Sequence, residues 1–170
     1  VVLVSGPTAL DCPAGVRLIP VVTAADMRDA VVKEFATATA VVMAAAVADY
    51  RPVVTADRKI KRGKGPIELR LEPNPDIVKE LGQNKDGKVL IGFAAETEAL
   101  TANAAKKLRE KNLDMIIANN VAEAGSGFDG DTNIATILDC TGASQSLPLM
   151  SKDKLADLIY DHYLALKNRR

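Results

Sequence analysis

Short apolar runs, separated by turn residues, set the layout of the chain. Val1–Ser5 is β-branched and apolar and stops at Gly6-Pro7, which predicts a buried strand. Residues 16–22 form a second strand candidate. Thr23 then stands where it can cap a helix, with Asp26 in the first turn. Met27, Ala30, Val31, Phe35 and Ala38 fall on one face of that helix. Ala40–Ala46 is apolar again and fits a buried strand. Ile67–Leu71 reads Ile-Glu-Leu-Arg-Leu, an alternation that predicts a strand with one apolar and one charged face. Asn74-Pro75-Asp76 combines a capping Asn, a Pro at the first helical position and an acid in the first turn, and Gly82 can close the helix. Val89–Ala95 predicts a strand, and Thr97 opens a helix that reaches Asn112. Met115–Asn119 and Asn133–Leu138 are further strands, the latter pairing with Leu147–Met150. Ser151 caps a final helix in which Leu155, Leu158, Ile159 and Leu166 share a face.

Strands alternating with helices predict an α/β fold: Rossmann-like, doubly wound, with a mostly parallel sheet covered by helices on both faces. Such folds open with a strand, a Gly-rich turn and a helix. Here the first strand starts at Val1, so that opening unit is expected upstream, in a longer chain. Residues 1–170 are expected to form a single nucleotide-binding domain, with no internal repeat and no low-complexity segment.

Composition narrows the function classes. Hydrophobic residues make up 48% of the 170, which excludes a disordered chain. Aromatics are 4% with no Trp, so Val, Ile, Leu and Ala must build the core. Lys+Arg and Asp+Glu number 22 each, a balance that argues against nucleic acid as a partner. Cys12 and Cys140 make no disulfide framework or metal motif and read as free thiols of a cytoplasmic protein. The apolar runs are too short to span a membrane as helices. No charged segment precedes Val1 to suggest a signal peptide.

Three apparent motifs give way to plainer readings. Gly125-Ser126-Gly127-Phe128-Asp129-Gly130 matches G-x-G-x-x-G, but a strand is expected after it, where the dinucleotide fingerprint needs a helix. Asp129, Asp131 and Asn133 have the spacing that opens an EF-hand loop, yet Ile134 and Cys140 stand where Gly and Glu are required. His162, the only histidine, lies on the apolar stripe of the last helix and reads as a packing residue.

Five segments place small residues, acids or lysines where sheet ends are expected. In Ala44-Ala45-Ala46-Val47-Ala48-Asp49-Tyr50-Arg51-Pro52, a strand runs into small residues that let a ligand approach the backbone. Asp49 could accept from ribose hydroxyls or help hold a metal, or be an ordinary turn acid. Lys59-Ile60-Lys61-Arg62 could neutralise a polyphosphate or form a solvated loop. Asn74-Pro75-Asp76-Ile77 could offer helix-start N–H groups to an anion or serve as a plain cap. Gly92-Phe93-Ala94-Ala95-Glu96-Thr97 again ends in small residues; Phe93 could stack on a base or pack in the core. Lys107 and Lys111 share one helical face; they could reach one phosphate chain or complement the helix dipole.

In their order along the chain, these segments resemble CTP-dependent phosphopantothenoylcysteine synthetase, the phosphopantothenate–cysteine ligase family. The resemblance includes Val4-Ser5-Gly6-Pro7 and continues through Lys111-Asn112-Leu113-Asp114, Ile117-Ala118-Asn119 and Gly127-Phe128 to Asn133. It implies that Met43, Ala44 and Ala45 line the nucleotide pocket with their backbone and that Asp49 contacts the nucleotide. By the same resemblance Lys59 would meet the phosphates and matter for catalysis, and Asn74, Pro75, Asp76 and Ile77 would form another wall, completed by Phe93, Lys107 and Lys111. It further implies CTP and Mg²⁺, a homodimer with sites near the interface, and a flap and interface element over residues 59–71. An Arg and an Asn important for the reaction intermediate are expected upstream of Val1. The flavin-dependent decarboxylase half of the bifunctional relatives does not match this chain, so FMN is not expected here.

The chemistry implied is a ligation through an acyl-cytidylate, which needs no side-chain nucleophile. Two alternatives stay open on the sequence: an NAD(P)-dependent oxidoreductase of similar fold, and a non-catalytic interaction domain.

Overall fold

A computed structural model describes residues 1–63, 65–96, 99–120 and 130–169. They gather into two compact units, Val1–Lys33 with Ala46–Asp76, and Glu34–Ala45 with Ile77–Arg170.

In the first unit, β1 (Val2–Ser5) pairs in parallel with β2 (Arg17–Pro20), Val2 opposite Arg17. The helix α1 (Ala24–Phe35) starts as expected. Thr23 Oγ1 accepts from the Asp26 N–H at 3.0 Å, and Asp26 Oδ2 accepts from the Thr23 N–H at 2.9 Å. This reciprocal box satisfies two N–H groups that a helix start leaves open. The same bonds, that from the Thr23 backbone foremost, hold the Asp26 carboxyl below its ordinary range. Val31 is buried, as is Phe35 at the helix end that belongs to the second unit.

A short antiparallel pair completes this unit: β4 (Tyr50–Pro52) and β5 (Leu71–Pro73), with Arg51 opposite Glu72. The strand expected over Ile67–Leu71 therefore begins only at its last residue. Ile67, Leu69 and Leu71 are 62%, 67% and 56% exposed. An alternating pattern forms a strand where its apolar face is covered, and here that face stays open.

The helix expected to start at Pro75, after a capping Asn74, begins two residues later, as α2 (Ile77–Gln83). Asn74 does not cap it. Its Nδ2 donates to the Ala48 carbonyl at 2.8 Å, and its Oδ1 accepts from Arg51 Nη1 at 3.1 Å. Gly82 lies within the last turn of α2 rather than beyond it.

The second unit holds a five-stranded sheet in the order β3 (Ala40–Met43), β6 (Val89–Glu96), β7 (Met115–Asn120), β8 (Thr132–Asp139), β9 (Ser144–Ser151). The first three are parallel, and β8 and β9 run antiparallel to their neighbours. The β8–β9 pairing is the one expected from the sequence. α3 (Leu100–Glu110) connects β6 to β7, and α4 (Lys152–Lys167) closes the chain, its cap Ser151 accepting from the Lys154 N–H at 3.2 Å.

Val89, Ile91, Met115, Ile117, Ala135 and Ile137 form one core with Leu155, Ile159 and Leu166 of α4. The intervening Leu90, Ile116 and Ala118 are at most 1% exposed and point to the opposite face, where α3 buries Ala104 and Leu108. The continuous apolar runs of β6 and β7 thus reflect burial on both faces.

Gly82 is required by a close approach. A Cβ there would run into the Lys111 backbone carbonyl, while Asn112 Nδ2 donates to the Gly82 carbonyl at 2.7 Å. Gly82→Ala gains up to about 1 kcal/mol of helix propensity, but the overpacking is expected to outweigh it, for a net loss of about 1–3 kcal/mol. Urea unfolding measures this; a variant as stable as the parent would contradict the contact.

Candidate functional site

Strands β3, β6 and β7 point the same way, so their carboxyl ends share one edge of the sheet, the edge where open α/β sheets bind ligands. Met43 of β3 stands opposite Gly92 of β6, and Ala95 of β6 opposite Asn119 of β7. Met43 is buried at 8%. Ala44 and Ala45 follow it, exposed and small. A Cβ on Gly92 would sit 2.9 Å from Leu113 Cδ1, so that position admits little else. Phe93 is half-buried and packs against the α4-side core. That side chain serves packing and stays partly exposed. Lys107 and Lys111 are half-buried, one turn apart at the end of α3, and the Lys111 N–H donates to the Lys107 carbonyl at 3.0 Å.

In the other unit, Asn74 joins two of the expected segments directly. Its N–H donates to the Asp49 carbonyl at 2.7 Å, and its side chain holds Ala48 and Arg51. Arg51 in turn pairs with Glu72 at 2.8 Å. The bend at Ala48–Arg51 is therefore fixed by bonds from a residue more than twenty positions away, leaving the Asp49 side chain exposed. Pro75 and Asp76 are exposed. Ile77 is 3% exposed, so its side chain belongs to the core. Lys59, Lys61 and Arg62 are exposed in a stretch without helix or strand.

Two residues that the sequence marked only as members of the resembling segments gain a structural setting here. Asp114, 1% exposed, accepts from the Leu90 N–H at 2.7 Å and from Lys85 Nζ at 3.0 Å. It ties β7 to β6 at their amino ends. Asn119, at the carboxyl end of β7, carries a buried Oδ1 with no hydrogen-bond partner among the described residues. Its signal was a polar residue closing an apolar strand.

Other candidates lead elsewhere. His162 is half-buried and its Nδ1 donates to the Leu158 carbonyl at 2.8 Å, a packing role as expected. It borders a cavity of about 360 Å³ with Asp139, Asp161 and Arg169. Asp139 stands opposite Met115, the first residue of β7, so this cavity lies at the amino edge of the sheet. Cys12 and Cys140 are free and exposed. Among the described residues no three His, Cys, Asp or Glu cluster to hold a metal, and no helix is long and apolar enough to cross a membrane. Thr97 and residues 125–129, with Gly127, Phe128 and Asp129, lie outside the described residues.

Residues 1–166 match the family model described as DNA/pantothenate metabolism flavoprotein C-terminal domain. The chain is 45% identical over 170 residues to the coenzyme A biosynthesis bifunctional protein CoaBC of Bacillus subtilis (strain 168), covering 99% of this chain and 42% of that protein. It is 40% identical over 168 residues to a cysteine/cysteine sulfinic acid decarboxylase of an unknown prokaryotic organism, covering 98% and 47%. The crystal structure of the C-terminal domain of a coenzyme A biosynthesis bifunctional protein CoaBC superposes with a TM-score of 0.83 at 38% identity, covering 99% of this chain and 75% of that one. The chain thus spans less than half the length of these curated relatives.

Proposed function

Because the chain belongs to the DNA/pantothenate metabolism flavoprotein C-terminal domain family, we propose that it is the ligase portion of a coenzyme A biosynthesis enzyme, joining 4'-phosphopantothenate to cysteine at the expense of CTP. The observation that carries this reading is the match of residues 1–166 to one family, with relatives named for coenzyme A biosynthesis. One relative is named a decarboxylase, but this chain covers only 47% of that protein, so the name does not assign decarboxylation to this chain.

A carboxylate is a poor electrophile and must first gain a leaving group. The phosphopantothenate carboxylate attacks the α-phosphorus of CTP, forming an acyl-cytidylate and releasing pyrophosphate. The cysteine amine then attacks the acyl carbon, the amide forms, its proton passes to solvent, and CMP leaves. The work of the protein is positioning and charge stabilisation. Met43, Ala44 and Ala45 admit the nucleotide against the backbone, and Phe93 offers its exposed part to the base. Asp49 contacts the nucleotide beside the wall formed by Asn74, Pro75, Asp76 and Ile77. Lys59, Lys107 and Lys111 supply positive charge to the triphosphate, with Lys59 the catalytic one. Mg²⁺ would arrive on the phosphate oxygens, which suits an ion that keeps its waters and binds substrate phosphates.

The whole chain acts as one nucleotide-binding domain in this reading, within a cytoplasmic homodimer. The exposed Ile60, Ile67, Leu69 and Leu71 support residues 59–71 as a flap and interface element, because exposed apolar patches mark contacts.

Thermal shifts separate this reading from a nicotinamide-dependent oxidoreductase. CTP with Mg²⁺ at 100 times its Kd is expected to stabilise the protein by about 2.7 kcal/mol, and NAD(P) is expected to leave it unchanged. Stabilisation by NAD(P) alone would reject the ligase.

A further inference from the structure

Met115 and Ile117 of β7 point into the core on the α4 side, and Asn119 is the next residue of that stripe. Ile117 stands between Phe93 and Ile137, and Asn119 between Ala95 and Ala135, all on the same face. The stripe calls for an apolar side chain and the sequence places an amide. Its Oδ1 is buried and meets no donor among the described residues. A buried acceptor without a donor carries its full desolvation cost, which a bound ligand can relieve. The position suits that role: it lies at the carboxyl edge of the sheet, one step along the face from Phe93, between alanines that offer it no side-chain donor.

Resting on the ligase reading above, we infer that Asn119 is a substrate-contacting residue whose Oδ1 accepts a hydrogen bond from an N–H or O–H group of a bound substrate. Three sources share this chemistry: the amino and ribose hydroxyl groups of CTP, the amide and hydroxyls of phosphopantothenate, and the ammonium of cysteine. Among the described residues the acceptor is idle, and a substrate donor would use it. Removing it therefore harms binding and not folding.

The test compares Asn119→Leu and Asn119→Asp with the parent, each in the chain extended to the length of its bifunctional relatives. Melting temperature, the KM for each of the three substrates and the thermal shift given by each are measured. The leucine variant is expected to melt at or above the parent, to raise one KM at least ten-fold and to lose the matching thermal shift. The aspartate variant keeps an acceptor and is expected to retain part of both. The KM that moves identifies the donor. Leucine and alanine variants that both melt well below the parent would make Asn119 structural and overturn the inference. So would three unchanged KM values, as expected of an acceptor that water satisfies. Should leucine not fit, Asn119→Ala carries the same comparison without added bulk. A parent that releases no pyrophosphate would instead sink the ligase reading, and the thermal shifts would still decide on Asn119.

Discussion

Lys59→Gln is expected to slow pyrophosphate release about 100- to 1,000-fold, the range seen when one preorganised charge-stabilising group is lost, while the melting temperature stays within about 1 °C of the parent. The asymmetry follows from where Lys59 sits. It is exposed, in a stretch without regular structure, so the fold asks nothing of it; surface substitutions of this kind stay within about ±0.5 kcal/mol. Its proposed work begins only when a triphosphate is bound. Attack at the α-phosphorus drives negative charge onto the departing pyrophosphate, and a cation placed there lowers the barrier more than it tightens ground-state binding. Lys59→Arg keeps the charge and is expected to lose less. A continuous pyrophosphate assay with a thermal melt reads both quantities, and normal turnover in the glutamine variant would make Lys59 a bystander.

The largest effect on stability is expected from Asp114→Ala, a loss of about 3–5 kcal/mol, the cost of breaking a buried pair by removing one partner. Asp114 is 1% exposed and binds both the Leu90 N–H and Lys85 Nζ. Its own N–H and carbonyl are committed to Leu90 and Cys140, at 2.8 and 2.9 Å. Lys85 loses less than Leu90 does, because its ammonium also donates to the Asn112 carbonyl at 2.9 Å. Most of the damage therefore comes from a strand N–H left unpaired in a fully buried position, since Leu90 is 0% exposed. Lys85→Met should accordingly cost less than Asp114→Ala. Urea unfolding of both variants checks the order; equal midpoints for Asp114→Ala and the parent would show that the carboxylate does not hold the strands.

What the sequence disclosed follows a physical division. Features set by neighbours in the chain were legible. Most of Val89–Ala95 and of Met115–Asn119 is buried on both faces, and the two read as apolar runs up to Asn119. Thr23 and Ser151 cap helices through bonds to residues three positions on. Features set by distant partners were not. Asn74 had the local signature of a cap, but Ala48 and Arg51 claim its side chain. Ile67–Leu71 had the pattern of a strand with nothing to cover it. Strand direction was also hidden, because an apolar run reads the same both ways. The turn between β8 and β9 held a clue: Asp139 Oδ1 binds the Thr141 and Ala143 N–H groups and Gly142 takes φ 90°, a tight reversal suited to an antiparallel pair.

The candidate site divides in the same way. The small residues at the ends of β3 and β6 stood out because a strand that fades into alanines is unusual. The cations at 59, 107 and 111 were ambiguous one by one, and only the order of the segments gave them a shared meaning. Asp114 carried no local mark of its role, and Asn119 only that of a polar residue closing an apolar strand. Their roles depend on what surrounds a buried oxygen, which no run of neighbouring residues specifies.

By the proposed function, this chain activates a carboxylate by cytidylylation. The most direct measurement uses phosphopantothenate labelled with ¹⁸O in its carboxylate, incubated with CTP, Mg²⁺, cysteine and the chain extended to the length of its bifunctional relatives, with mass spectrometry of the nucleotide product. The account predicts CMP carrying one labelled oxygen, because the oxygen that attacked the phosphorus leaves with it. Unlabelled CMP, or CDP in its place, would contradict it.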